Sequence, residues 1–383
     1  MQNSELTDKI KAYIGEDSFV YSIEKGKWYS YAQIWKNAYE YYLFVKEHGV
    51  RELAVVLENG IELLTLYFAC ILGNFKIVPI DPQKSNEEID IILKNHPGIW
   101  CIGSADELPI YSEEGKIPSD LPELLDSIDF EKIYLVTYTS GSTGQAKGVQ
   151  HSLKNLLLAS VSFGNKVGFD KESVVCHTMP MTYMAGILNT IFMPFIQGSR
   201  IVLYPRFNVM TAVSFWKNTQ AYGVNTFWLS PTMLNILLTV DRKGKIAEYF
   251  KTIKPIFCIG TAPLFPQLKK TFEEKYGVQL LRSYGLSETL FISTKVYDEG
   301  CEKESVGRIL PEVNLQFDNS GEILIDVPWM FLGYSNENTA DYFDNEFYLS
   351  GDLGEIRESH LYITGRKKDL IIRGGMNISP KQI

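Results

Sequence analysis

The sequence predicts an α/β chain: two packed α/β sheets, followed by a small β-rich subdomain. Three observations carry this expectation. Short apolar runs of strand length alternate with helix-like stretches from Ser30 to Ser283, the rhythm of parallel sheets covered by helices. At 383 residues with 45% hydrophobic content, the chain exceeds what one compact core usually organises, so two or more subdomains are expected. After Ser287 the texture changes to short strands broken by Gly, Asn and Asp, as in NLQFDNSGEILIDV.

Between Ser30 and Val45, helical spacing puts Ile34, Trp35, Ala38, Tyr41, Tyr42 and Val45 on one face, with Ser30 and Gln33 spaced as a capping box. LAVVL (Leu53 to Leu57) reads as a buried strand, Ile61 to Leu72 as a helix closed by Gly73, and Lys76 to Ile80 as a strand ending at Asp81-Pro82. Further strands are expected at Lys132–Tyr138, Ser173–His177, Arg200–Tyr204, Asn225–Leu229, Pro255–Ile259 and Gln279–Ser283. Helices such as Val213–Tyr222 and Gln267–Tyr276 separate them.

Composition excludes several function classes. The chain has 46 acidic against 37 basic residues, a net charge of −9, and no Lys/Arg block that would track a nucleic-acid backbone. Met1 to Asp17 is polar and mixed in charge, unlike a signal peptide, and no apolar stretch is long enough to span a bilayer, so a cytoplasmic protein is expected. Cys70, Cys101, Cys176, Cys258 and Cys301 are odd in number and widely spaced, which suits reduced, packed thiols better than disulfides. The five histidines show no HxxxH or Cys/His spacing that would hold a transition metal.

The strongest local signal runs from Tyr138 to Val149, YTSGSTGQAKGV, directly after a strand. Gly141 and Gly144 let backbone N–H groups converge, Thr139, Ser140, Ser142 and Thr143 add hydroxyls, and Lys147 adds a point charge, a combination suited to phosphates. It is not a Walker A loop, because GxxxxGK[ST] is absent. The segment resembles the signature loop of the adenylate-forming (AMP-binding) superfamily, which contains acyl-CoA synthetases, aryl-acid ligases, luciferases and nonribosomal adenylation domains. Members commonly have Pro where this chain has Ala146.

Other blocks resemble the same family in order, over roughly Ser30 to Ile383. Gly73 to Pro82 resembles an early strand-turn block and is read as structural. Pro180 to Gly186, PMTYMAG, resembles the segment beside the acyl carboxylate, with Tyr183 where many members have His; Tyr183 either lines the substrate site or packs in the core. Cys258 to Leu264 resembles the adenine-facing turn, implying contacts from Gly260, Thr261 and Ala262. Arg282 to Thr289, RSYGLSET, resembles the Tyr-Gly-x-Thr-Glu block, with Ser287 in place of the commoner Thr. The resemblance implies that Ser283, Tyr284, Gly285 and Ser287 meet ATP and that Glu288 holds Mg²⁺. Leu349 to Gly354 resembles the Thr-Gly-Asp block, which makes Asp352 the ribose clamp, and Ile363 to Pro380 resembles the hinge, with Arg366 at ribose or phosphate and Lys368 as pivot.

The resemblance therefore implies a large domain over residues 1–366, then a hinge and the start of a lid domain over 367–383, with the lid's catalytic lysine beyond Ile383. Adenylation by this stretch alone is then expected to be impaired. The implied reaction joins a carboxylic acid to AMP from Mg·ATP and passes the acyl group to a thiol, with Thr139, Lys147 and Glu288 as the catalytic groups. Tyr183, Met184, Gly186, Trp228, Ser230 and Gly285 are the substrate-pocket candidates. Met179 to Asn189 contains no carboxylate to meet an amino acid's ammonium group, which favours a fatty or aryl acid. Coenzyme A is the expected acceptor; a carrier protein, or a truncated non-catalytic nucleotide or acyl-adenylate-binding protein, is the alternative.

Overall fold

In the computed structural model, the described residues are 1–110, 117–139, 146–297 and 304–369, together with the backbone of two short strands, Ile371–Arg373 and Met376–Ile378. Ser30 opens the helix Tyr31–Glu47 as its spacing to Gln33 requires. Its hydroxyl accepts from the Gln33 N–H at 3.1 Å, and the Gln33 side chain accepts from the Ser30 N–H at 2.8 Å. All six residues expected on the inner face are buried, and the Trp35 indole donates to Tyr13 O at 2.9 Å.

The next helix, Ile61–Gly73, is buried without a break from Leu63 to Leu72, as befits a helix enclosed by core. Its end differs from expectation: Gly73 is the last helical residue, and Asn74 takes the left-handed cap at φ 49°. Two contacts explain the shift. A Cβ on Gly73 would stand 2.1 Å from the Phe75 ring. The Asn74 side chain, meanwhile, accepts from Asp129 N–H at 2.6 Å and donates to Ser127 O at 3.1 Å.

The two expected sheets are present. One has six strands in the order Gly333–Tyr334, Lys147–Ser152, Ile133–Thr139, Lys76–Pro79, Glu52–Val55, Trp100–Ile102. The other has nine, and its central strands Ile256–Ile259, Thr226–Leu229, Val174–His177 and Arg200–Leu203 run parallel. Val174–His177 and Thr226–Leu229 are buried along their whole length, the signature of a sheet covered on both faces. Phe227, Leu229, Phe257 and Ile259 pack on the outer helices, whereas Trp228, Cys258 and Leu281 join the core between the sheets. That alternation decides which side chains reach the cavity described below.

The strands on either side of the expected phosphate loop are neighbours in one sheet. Ile133–Thr139 and Lys147–Ser152 form an antiparallel pair, and only then does the helix Leu153–Val167 begin. Ser140, Gly141, Ser142, Thr143 and Gly144 lie outside the described residues. The β-rich part is a five-stranded sheet of Asn314–Phe317, Glu322–Asp326, Phe343–Asp344, Phe347–Arg357 and His360–Arg366.

Candidate active site

A cavity of about 890 Å³ opens at the carboxyl ends of the nine-stranded sheet's parallel strands and is closed on one side by the β-rich sheet. Ligands of α/β sheets settle at that end because loops leave the strands there and the sheet blocks approach from elsewhere. Among the expected residues, Thr139, Tyr183, Met184, Trp228, Gly260, Thr261, Ala262, Ser283, Tyr284, Gly285, Ser287, Asp352 and Arg366 all line it. Segments more than 200 residues apart in sequence thus share one wall.

Asp352 forms the polar end. It is 3% exposed, accepts from the Tyr284 hydroxyl at 2.9 Å on one oxygen and from Arg366 Nε at 2.8 Å on the other. Burial, reinforced by the Asp352 charge, holds the Tyr284 phenol well above its usual range, so it stays a donor. Gly285 makes this placement possible. The pairing of Leu280–Leu286 with Leu290–Thr294 shifts register between Tyr284 and Gly285, and a Cβ on Gly285 would stand 2.0 Å from Leu290 O. Thr261 sits at φ 70° in the turn opposite, a strained conformation for a β-branched residue.

Lys147 and Glu288 lie beside the cavity rather than on its wall. Lys147 is 7% exposed, pairs with Glu337 at 2.8 Å, donates to the Tyr342 hydroxyl, and stands 4.1 Å from the Tyr342 ring centroid. Burial opposes its charge, but the Glu337 and Tyr342 contacts outweigh that and hold its pKa above the ordinary lysine range. Glu288 accepts from Tyr334 at 2.7 Å, and Tyr334 meets Tyr348 at 3.0 Å. Among the described residues, no three His, Cys, Asp or Glu side chains gather as a metal cage. A magnesium ion needs none, since one carboxylate, water and substrate phosphates suffice.

At the apolar end, Tyr183 is half in the cavity and half exposed, and its hydroxyl bonds to Asp81. Asp81, read from the sequence as merely structural, is 4% exposed and accepts from Arg206 at 2.7 Å and from the Gln83 N–H at 2.9 Å. Burial would raise its pKa; the Arg206 and Gln83 hydrogen bonds prevail and keep it below the usual carboxylate range. Met184 and Trp228 line the cavity, but Ser230 and Gly186 do not. The Ser230 hydroxyl caps the helix Pro231–Val240 through the Met233 N–H at 3.3 Å, and Gly186 lets its backbone pass Pro180 O, which a Cβ would approach to 1.9 Å. Lys368 is exposed and lies outside the lining, although Asp369 joins it.

Sequence reasoning also missed Asn189 and Arg282 as lining residues. Asn189 carried a signal, a lone amide in the apolar run AGILNTIF, and that run folds as a buried π-helical segment, a form often found at functional sites. Arg282 borders the Tyr-Gly block and donates to Glu304 O at 2.8 Å.

The family described as AMP-binding enzyme matches residues 99–335. A 2-succinylbenzoate–CoA ligase of Bacillus cereus is 27% identical, with 97% of this chain and 80% of the relative covered. Among solved structures, ATP-bound MatB from Rhodopseudomonas palustris superposes with a TM-score of 0.84 at 22% identity, covering 100% of this chain and 82% of that one. The o-succinylbenzoate coenzyme A synthetase (MenE) of Bacillus subtilis, in complex with ATP and magnesium ion, gives 0.80 at 23% identity, covering 98% and 82%. At those identities the two structures establish a shared fold.

Proposed function

The chain belongs to the AMP-binding enzyme family, and from that premise we propose that it activates a carboxylic acid with ATP and transfers the acyl group to coenzyme A, acting in the cytoplasm. The observation that carries this reading is Asp352, a buried carboxylate held at the cavity wall by Tyr284 and Arg366. A carboxylate offers about four acceptor positions, and its two protein donors use two. Two vicinal ribose hydroxyls fit the remainder.

In this scheme the nucleotide lies along the turn Gly260, Thr261, Ala262, where small residues admit a flat base, with Tyr284 beside it. Gly285, Ser283 and Ser287 shape the same wall. Thr139 and the loop Ser140 to Gly144 bind the phosphates, with Lys147 supplying positive charge after leaving Glu337. Glu288, kept in place by Tyr334, would hold a magnesium ion, which offsets phosphate charge as the carboxylate attacks. Tyr183 and Met184 border the acid near the reacting centre, and Arg366 steadies the ribose with Lys368 as the pivot beyond it. The acid's carboxylate oxygen bonds to the α-phosphorus and pyrophosphate departs; the thiol of coenzyme A then displaces AMP. The ligase relative's acceptor supports coenzyme A for the second step, and its aryl acid supports an aryl substrate for the first.

Carboxylate-dependent release of pyrophosphate from ATP, measured across fatty, aryl and amino acids with coenzyme A present, tests the reading. Release with a fatty or aryl acid is expected. ATP binding with silence across the whole panel would point to a nucleotide-binding protein instead.

A further inference from the structure

Trp228 is 3% exposed, and its indole Nε1–H has no hydrogen-bond partner among the described residues. Such orphaned donors are uncommon in folded proteins and ask for an explanation. The buried ring packs against Phe163 and Phe291, with centroids 5.2 and 5.5 Å away, and those two rings stack on each other at 4.0 Å, so turning the indole towards another acceptor means repacking a buried aromatic cluster.

Register explains where that N–H lies. Trp228 pairs with Cys258 and Cys258 with Leu281, so alternation sets Trp228, Gly260 and Ser283 on one face of the sheet, at its carboxyl end. A Cβ on Gly260 would stand 3.8 Å from the indole Nε1 and 3.1 Å from Ser283 Oγ. Glycine there leaves the polar edge of the indole uncovered. Trp228 lines the cavity with Gly260, Ser283 and Asn189, while Met184 and Leu188 supply apolar wall.

We propose that Trp228 is a specificity-determining residue whose indole N–H donates to an oxygen on the tail of the acid. The preferred substrates then carry a carbonyl, hydroxyl or second carboxylate besides the reacting one, and plain hydrocarbon acids are disfavoured. A site built to hydrogen-bond a substrate group rejects the analogue lacking it, because the buried donor is then left unpaired. This inference rests on the adenylation reading above, which sets the acid in this cavity.

Phenylbutanoate and benzoylpropanoate share a chain length and ring and differ by one ketone oxygen, so they form the test pair. The wild-type protein is expected to favour benzoylpropanoate by roughly tenfold or more in kcat/KM for pyrophosphate release. Trp228→Phe, which keeps the ring packing, is expected to bring that ratio close to one, chiefly through KM. In protein labelled with nitrogen-15 tryptophan, the indole resonance that Trp228→Phe removes should move downfield with benzoylpropanoate and stay in place with phenylbutanoate. Equal preference in the wild type, an equal loss on both acids in the variant, or a resonance that neither acid moves would overturn the assignment. A shift produced by ATP alone would give the donor to the nucleotide and overturn it too. Absence of turnover with every acid would sink the adenylation reading, and the resonance would still judge Trp228.

Discussion

Asp352 is a buried carboxylate where the two sheets meet the cavity. Its two oxygens are each held by a different segment, Tyr284 from the nine-stranded sheet and Arg366 from the β-rich sheet, so one buried charge ties both to the cavity. Asp352→Asn removes the charge and turns one of the two acceptors into a donor, so Arg366 and Tyr284 can no longer both donate to it. Hydrogen bonds to charged groups contribute about 1.5–3 kcal/mol, so the KM for ATP should rise on the order of 10- to 100-fold; an unchanged KM would remove Asp352 from the nucleotide site. The Asp-containing turn was visible in the sequence only through its resemblance to a family block, because an isolated Ser-Gly-Asp is an ordinary turn. Asp81 shows the opposite case. Nothing in Asp81-Pro82 marks a buried carboxylate, since its partners Arg206 and Tyr183 are more than 100 residues away and are brought to it only by the fold.

Elements were more legible than sites. Helices and strands followed from apolar period and caps, as at Ser30 and Gln33, because those signals are local. Chain ends of elements were less so. The cap at Asn74 depends on Ser127 and Asp129, and Ser230, expected in the substrate pocket, caps a helix instead. The π-helical segment Ala185–Phe192 makes a specific demand at its start, where Gly186 passes Pro180 with no room for a Cβ. Gly186→Ala must shift backbone, and a cost of about 1–3 kcal/mol is expected for such overpacking. Urea unfolding should show a lower midpoint at unchanged slope, with Gly168→Ala unsuited as a control because its own φ is 87°. An unchanged midpoint would mean that the segment relaxes freely.

For the whole molecule, two enclosed histidines tie stability to pH. His151, which bonds Ser287 O at 2.7 Å, and His177, at the end of a central strand, are both fully buried, and burial lowers each pKa to about 4. An unfolded histidine titrates near 6.5, so between about 4 and 6.5 the unfolded chain binds more protons than the folded one. Stability from these groups is therefore complete above about pH 6.5 and falls as pH drops towards 4, by up to about 1.4 kcal/mol per pH unit for each imidazole. Thermal unfolding at pH 5 and pH 7 should show the lower midpoint at pH 5. A flat profile across that window would contradict burial of the neutral rings.

In the proposed reaction the cavity as a whole joins an acid's carboxylate to the α-phosphorus of ATP. Supplying an accepted acid with heavy oxygen in its carboxylate, and then weighing the AMP formed with coenzyme A, tests it most directly. One heavy oxygen is expected in the AMP phosphate, because the acyl–oxygen bond breaks when the thiol attacks. AMP without the label, or ADP as the product, would contradict adenylation.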